Sequence, residues 1–218
     1  MINWNTIDTV LLDMDGTLLD LNFDNHFWKE FVPLKYAELH NLSLAEAKNQ
    51  LIPLFKRMEG QLEWYCLDFW SDKLKLDING LKAELAGLIT TLPHVIEFLE
   101  RLQHTEKQVM LVTNAHPKGL ALKMDKTCLH VFFHAMISSH DIGFAKEHPD
   151  FWGAFQLRYP FDKTTSVLID DNLSVLDSAQ QFGIKELISV SKPDSKLPVR
   201  NITKYPAIED FRELMQGL

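Results

Sequence analysis

The chain has 218 residues, 46% hydrophobic and 24% charged, a balance that supports a buried core and excludes a disordered or low-complexity protein. Lysine and arginine number 22 against 30 aspartates and glutamates, a net charge of −8 with no basic run, so a nucleic-acid partner is not expected. No apolar stretch is long enough to span a membrane, the first residues lack a secretory pattern, and Cys66 and Cys128 lack a paired spacing; a cytoplasmic protein with reduced thiols and no membrane partner is the expectation.

The first element is a short buried strand over Val10, Leu11 and Leu12, and it runs directly into Asp13, Met14, Asp15, Gly16 and Thr17. Alternation along a strand sends Asp13 and Asp15 to the same side. Two carboxylates in one half-buried space repel unless a cation lies between them, which makes the pair a candidate metal-assisted reaction centre. An acidic Asp-Gly turn would account for Asp15 and Gly16 but not for Asp13. Gly16 permits a sharp turn, and the Thr17 hydroxyl can hold it by bonding to nearby main chain.

Residues 21–90 read as helical, with no convincing buried strand. Phe27, Trp28, Phe31, Val32, Leu34 and Tyr36 crowd a first helical segment. Ser43 and Glu46 form a capping box ahead of a second, a third covers 62–74, and a fourth follows Asn79. Pro33 and Pro53 predict kinks or breaks. Such a bundle, inserted straight after the acidic motif, reads as a lid. Most of its aromatic side chains are expected to pack together, with one or two left to stack on a planar substrate group; Asp24, Asn25 and His26 lie at its entrance.

Strand and helix alternate from Thr91 onward. A helix over 95–102 precedes a buried strand, Val109 to Val112, that ends at Thr113 and Asn114, with Pro117 suited to open the next helix. A strand feeding a helix N-terminus presents free backbone N–H groups that hold an anion such as phosphate. A strand over 135–139 precedes a loop with Lys146, which can reach a phosphate and neutralise charge developing there. The strand 166–169 ends in Asp170 and Asp171, and Asn172 caps the following helix. A fifth strand is expected over 187–190, irregular chain over 193–205, and a short helix over 208–215.

This alternation predicts an α/β fold: a Rossmann-like parallel sheet core formed by residues 1–20 and 91–218, with an inserted α-helical cap domain over 21–90. In such a sheet the reactive groups gather at the carboxyl ends of the strands, where all four candidate features fall. Carboxylate oxygens on Asp13, Asp171 and Asp170, with the Asp15 carbonyl, suit Mg²⁺. His130 and His134 have helical spacing without accompanying carboxylates, so the nine histidines predict no zinc site. The absence of any Gly-x-Gly pair removes a dinucleotide fingerprint and a Walker loop.

The ordered set Asp13-Met14-Asp15-Gly16-Thr17, Thr113, Lys146 and Asp170-Asp171 resembles the four motifs of the haloacid dehalogenase-like hydrolases, and the helical insertion resembles that family's first cap type. The stretches 12–28, 64–70 and 113–117 are similar to bacterial purine nucleotidases acting on GMP and IMP. The resemblance implies a Mg²⁺-dependent phosphatase in which Asp13 is the nucleophile forming an aspartyl phosphate and Asp15 the acid and base. It further implies that Thr113, Asn114 and Lys146 hold the phosphoryl oxygens, and that Asp171, with Asp170 beside it, anchors the metal. The expected partner is a small phosphate monoester, a purine nucleoside monophosphate above others; a sugar-phosphate phosphatase, a phosphosugar mutase and a silent binding protein of the same fold are the alternatives. The loop after Lys146 departs from the family pattern, with Glu147 and His148 standing before Pro149.

Overall fold

A computed structural model describes residues 2–218 and places six parallel strands in one sheet, ordered β3-β2-β1-β4-β5-β6. These are β1 (Thr9–Leu12), β2 (Gln108–Thr113), β3 (Ala135–Ser138), β4 (Ser166–Asp170), β5 (Glu186–Val190) and β6 (Ala207–Ile208). The central strand β1 is buried along its whole length and pairs on both sides, Leu11 opposite Met110 and Leu168. Side-chain alternation divides the core into two layers. Val10, Leu12, Leu111 and Ile169 face one side, against Val95, Phe98 and Leu99 of a helix over Val95–Gln103. Leu11, Met110, Val112 and Leu168 face the other, against Phe151, Trp152 and Phe155 of a helix over Phe151–Arg158 and Val175 and Leu176 of one over Leu173–Phe182.

The sixth strand corrects the expectation of a helix over 208–215. Ala207 and Ile208 pair with Ser189 and Val190, and what remains of the helix is a 3₁₀ turn, Phe211–Leu214. A two-residue strand is too short to show a period of two, which is why its pattern merged with the helical one.

Between β1 and the helix at Val95 the chain forms a helical insertion: α1 (Asn22–His26), α2 (Val32–His40), α3 (Leu44–Met58), α4 (Leu62–Tyr65), α5 (Leu67–Leu74) and α6 (Ile78–Glu84). It carries its own apolar cluster around Phe27, Leu51, Phe55, Leu67 and Trp70. Ser43 and Glu46 make the expected capping box on α3, and Pro53 lies within that helix. Pro33 follows a π-helical turn, Phe27–Phe31; with no N–H to offer the carbonyl four residues back, it favours such a change of register. The helical stretch over 62–74 is broken at Cys66, whose extended backbone separates α4 from α5. The chain leaves and re-enters the α/β core through neighbouring segments: the Asp20 amide donates to the Thr90 carbonyl at 2.9 Å, and the Leu92 amide to that of Leu18 at 2.9 Å.

Candidate active site

The sheet order reverses between β1 and β4, and a crevice opens at such a point beyond the strands' carboxyl ends. Asp13 follows β1, Asp170 ends β4 and Asp171 follows it, so residues over 150 positions apart along the chain face one another there. The carboxylates of Asp13, Asp170 and Asp171 each place an oxygen within 4.8 Å of the others, and all three residues are buried. Lys146, 1% exposed, is driven into the group; its Nζ donates to Asp13 Oδ1 at 2.6 Å, to Asp170 Oδ2 at 2.7 Å and to the Val112 carbonyl at 2.9 Å. Burial alone would discharge this lysine, but the two carboxylates more than offset that and hold its pKa above the ordinary value.

Asp171 is less well compensated. Burial, with the Asp13 charge beside it, pushes its carboxyl up to about 7, and the half-exposed Arg200 at 3.2 Å offsets only part of this. Three buried carboxylates against one buried ammonium leave room for a divalent cation, and oxygen donors of this kind suit Mg²⁺. The floor of the crevice is shaped for the acid group as well. Gly16 has a φ of +87°, and a Cβ there would meet Asp171 Cγ at 2.7 Å. The Thr17 hydroxyl accepts the Asp171 amide at 3.1 Å, so it ties β1's turn to the end of β4 instead of bracing its own turn.

Asp13, Asp15, Thr113, Asn114, Lys146, Asp170 and Asp171 all line one cleft of about 800 Å³, so the structure brings together the candidate catalytic, phosphate-binding and metal-binding residues named from the sequence. Their roles differ in detail. Thr113 Oγ1 accepts the Ala115 amide at 3.0 Å, which leaves its hydroxyl proton free for a ligand. The Asn114 side chain is committed to protein: its Oδ1 accepts the Lys146 amide at 2.9 Å and its Nδ2 donates to Glu147 at 2.9 Å. Both oxygens of Asp170 are also engaged, one by Lys146 and the other by the Asn172 amide at 2.9 Å.

Asp15 faces the cleft from a different charge centre. Its Oδ1 accepts from Lys123 at 2.6 Å, and the same ammonium donates to Asp24 of α1 at 2.6 Å. Asp24 in turn accepts from Lys82 of α6 at 2.5 Å. Burial raises the Asp15 carboxyl to about 6 against the pull of Lys123, and the neighbouring Asp24 charge adds to the rise. For Asp24 itself burial is overcome by Lys123 and Lys82, so its carboxyl titrates below the ordinary range.

Sequence reasoning missed Lys123, Lys82, Glu147, Tyr65 and Arg200. Lys123 shares the buried stripe of its helix, Pro117–Thr127, with Gly119 and Met124, and Lys82 shares that of α6 with Ile78 and Leu81; a lysine on a core-facing stripe was the available signal. Glu147 accepts from the Tyr65 hydroxyl at 2.5 Å, the Asn172 side chain at 3.1 Å and Asn114, which accounts for its place after Lys146. Arg200 lies in irregular chain without a period to read. Of the entrance residues, Asp24 and Asn25 line the cleft, Asn25 donating to Asp194 at 2.7 Å, while His26 is exposed and is not among the lining residues. Among the aromatic residues Trp28, Phe55 and Trp64 reach the cleft wall, whereas Trp70 is wholly buried in the insertion.

The pattern of the haloacid dehalogenase-like hydrolases matches residues 7–183. The chain belongs to that family. The GMP/IMP nucleotidase YrfG of Escherichia coli K12 is 38% identical over 217 residues, covering 100% of this chain and 98% of that protein. A HAD phosphatase from Thermococcus onnurineus superposes with a TM-score of 0.79 at 23% identity, over 96% of this chain and 97% of that one. The L-2-haloacid dehalogenase of Xanthobacter autotrophicus gives 0.64 at 16% identity over 95% and 96% of the two chains, so one fold spans both chemistries. The expected family and α/β fold are thus met. Among the described residues no helix is long and apolar enough to cross a membrane.

Proposed function

We propose that this hydrolase is a Mg²⁺-dependent phosphomonoesterase acting on a purine nucleoside 5′-monophosphate, GMP or IMP. The observation that carries the reaction class is the buried cluster of Asp13, Lys146, Asp170 and Asp171 at the sheet's switch point, with Asp15 on the adjoining cleft wall. The substrate rests on the 38% identity, end to end, with a GMP/IMP nucleotidase, and on Trp28, Phe55 and Trp64, whose apolar faces suit a planar base.

In this reading Asp13 attacks phosphorus; a bond forms between its carboxylate oxygen and phosphorus while the ester bond breaks, and Asp15 gives its proton to the leaving oxygen. Asp15 then takes a proton from water, whose oxygen attacks the aspartyl phosphate, releasing inorganic phosphate and restoring Asp13. Lys146 and the Thr113 hydroxyl neutralise the phosphoryl oxygens, and Asn114 acts by fixing the Lys146 loop. Asp13, Asp171 and the Asp15 carbonyl would hold Mg²⁺, with Asp170 beside them orienting Lys146. The ion would supply charge stabilisation to the phosphoryl oxygens. Residues 21–90 serve as the cap that excludes water from the cleft.

Release of inorganic phosphate from a panel of nucleoside and sugar monophosphates, with and without Mg²⁺, tests this. Turnover should require the cation and be fastest with GMP or IMP. Turnover confined to sugar phosphates would overturn the substrate, isomer formation without phosphate release would make the protein a mutase, and tight binding without turnover a silent binding protein.

A further inference from the structure

We propose that Cys66, His116 and His140 form a second metal site, of the zinc type, at the seam between the helical insertion and the α/β core. One ligand atom of each lies within 4.8 Å of the other two. The three come from separate parts of the fold: Cys66 joins α4 to α5, His116 precedes the helix Pro117–Thr127 after β2, and His140 is the second residue of the short helix Ser139–Ile142 after β3. No spacing in the sequence could announce such a set, which explains why the histidines looked uninformative.

Each member is prepared for a metal. Cys66 is the N-cap of α5, and its Sγ accepts the Phe69 amide at 3.4 Å. The rings of His116 and His140 meet edge to face, with centroids 5.0 Å apart. Among the described residues Nε2 of His140 is buried without a hydrogen-bond partner, an arrangement that costs free energy until something takes its lone pair or its proton. Asp68 Oδ2 lies 3.7 Å from His116 Nε2.

The donor chemistry selects the ion. One thiolate and two imidazoles suit zinc and its neighbours and are wrong for Mg²⁺, so this site and the acidic cluster take different metals. The protons balance simply. The Cys66 thiol gives its proton to solvent. His116 Nδ1 accepts the Lys118 amide at a long 3.3 Å, and a metal at Nε2 moves that ring's proton to Nδ1 at the expense of this bond. Because Cys66 belongs to the insertion and both histidines to the core, a bound ion clips one to the other beside Tyr65 and Asp68, which already bond to Glu147 and Lys118 across the same seam.

Titration of the full chain with Co²⁺ in saturating Mg²⁺ tests the site without reference to hydrolysis. The expected result is one equivalent bound with a thiolate-to-cobalt charge-transfer band and the intense visible bands of a tetrahedral ion, all erased by Zn²⁺. Cys66→Ser should remove the charge-transfer band, and His140→Gln should weaken binding by at least the tenfold to hundredfold, roughly, that losing an outer partner of a ligand costs. Asp13→Asn should retain the band, because it alters only the acidic cluster. Circular dichroism checks that the variants fold, and His140→Gln decides the matter if Cys66→Ser does not. Absence of the charge-transfer band at one equivalent, or cobalt binding that Asp13→Asn removes and His140→Gln leaves intact, would overturn the site.

Discussion

The cleft contains three buried lysines, and two of them, Lys146 and Lys123, differ in what holds them. Lys146 is fixed by Asp13, Asp170 and the Val112 carbonyl, all at the ends of strands paired in one sheet, so its position follows from strand register. Lys123 is held by Asp15 of the core and Asp24 of the insertion, and Asp24 is shared with Lys82 of the insertion. The first centre is complete within the core; the second is complete only with the insertion seated on it. Groups proposed to make and break bonds thus stand on rigid elements, while the carboxyl proposed to move the proton is coupled to the part that controls access.

The largest effect should come from the rigid centre. Asp13→Asn keeps the shape of the side chain but removes the nucleophile, and turnover should fall by about ten-thousandfold or more with folding retained, as phosphate release and circular dichroism would show. Unchanged turnover would refute the assignment. Lys146→Met removes the sole ammonium from among three buried carboxylates, and in metal-free buffer denaturant unfolding should record a loss of about 3–5 kcal/mol. Added Mg²⁺ should restore part of that stability, because it neutralises the same carboxylates. A loss that Mg²⁺ leaves untouched would separate the lysine from the acid cluster.

The same contrast explains how much was legible in the sequence. Asp13 and Asp171 follow strand ends, Thr113 ends β2 and Lys146 lies in the connection after β3, so the sheet rule placed them without any knowledge of contacts. Lys123 and Asp24 become partners only when the insertion docks, a fact about two packed surfaces that no local period records, although the buried stripe carrying Lys123 hinted that its charge needed a partner. Cys66 is similar: periodicity ran through it as one helix over 62–74, while the chain breaks there and turns the thiol toward the seam. Arg200, in a segment with no period, was beyond reach for that reason alone.

Asp24→Asn probes the jointed centre and should have the next largest effect. Lys82 loses its carboxylate partner and Lys123 keeps only Asp15, so stability near neutral pH should drop by about 3 kcal/mol. The pH dependence has a definite sign. Asp24 titrates below its ordinary value of 3.8 in the folded protein, so on acidification the unfolded chain takes up the proton first. Its contribution is therefore complete above about pH 4 and is lost as pH falls through the folded value. Asp15, raised to about 6 in part by the Asp24 charge, acts in the opposite direction and should lose part of that rise in Asp24→Asn, an effect centred near pH 6. The stability difference between wild type and Asp24→Asn should narrow below pH 4; a constant difference there would mean that Asp24 acts by shape and not by charge.

The smallest expected effect distinguishes burial from mere proximity to the acid cluster. Arg200 touches Asp171 through one carboxylate oxygen at 3.2 Å and its carbonyl at 3.1 Å, yet its side chain is 44% exposed, whereas Lys146 is sealed from water. Solvent screens the exposed pair, so Arg200→Gln should change unfolding free energy by less than about 1 kcal/mol. Removing that positive charge should also favour a divalent cation on Asp171, and Mg²⁺ titration should show binding no weaker than in the wild type. If Arg200→Gln destabilises the protein as much as Lys146→Met does, burial is not what separates the two cations, and the arginine's bond to the Asp171 backbone is fixing the end of β4.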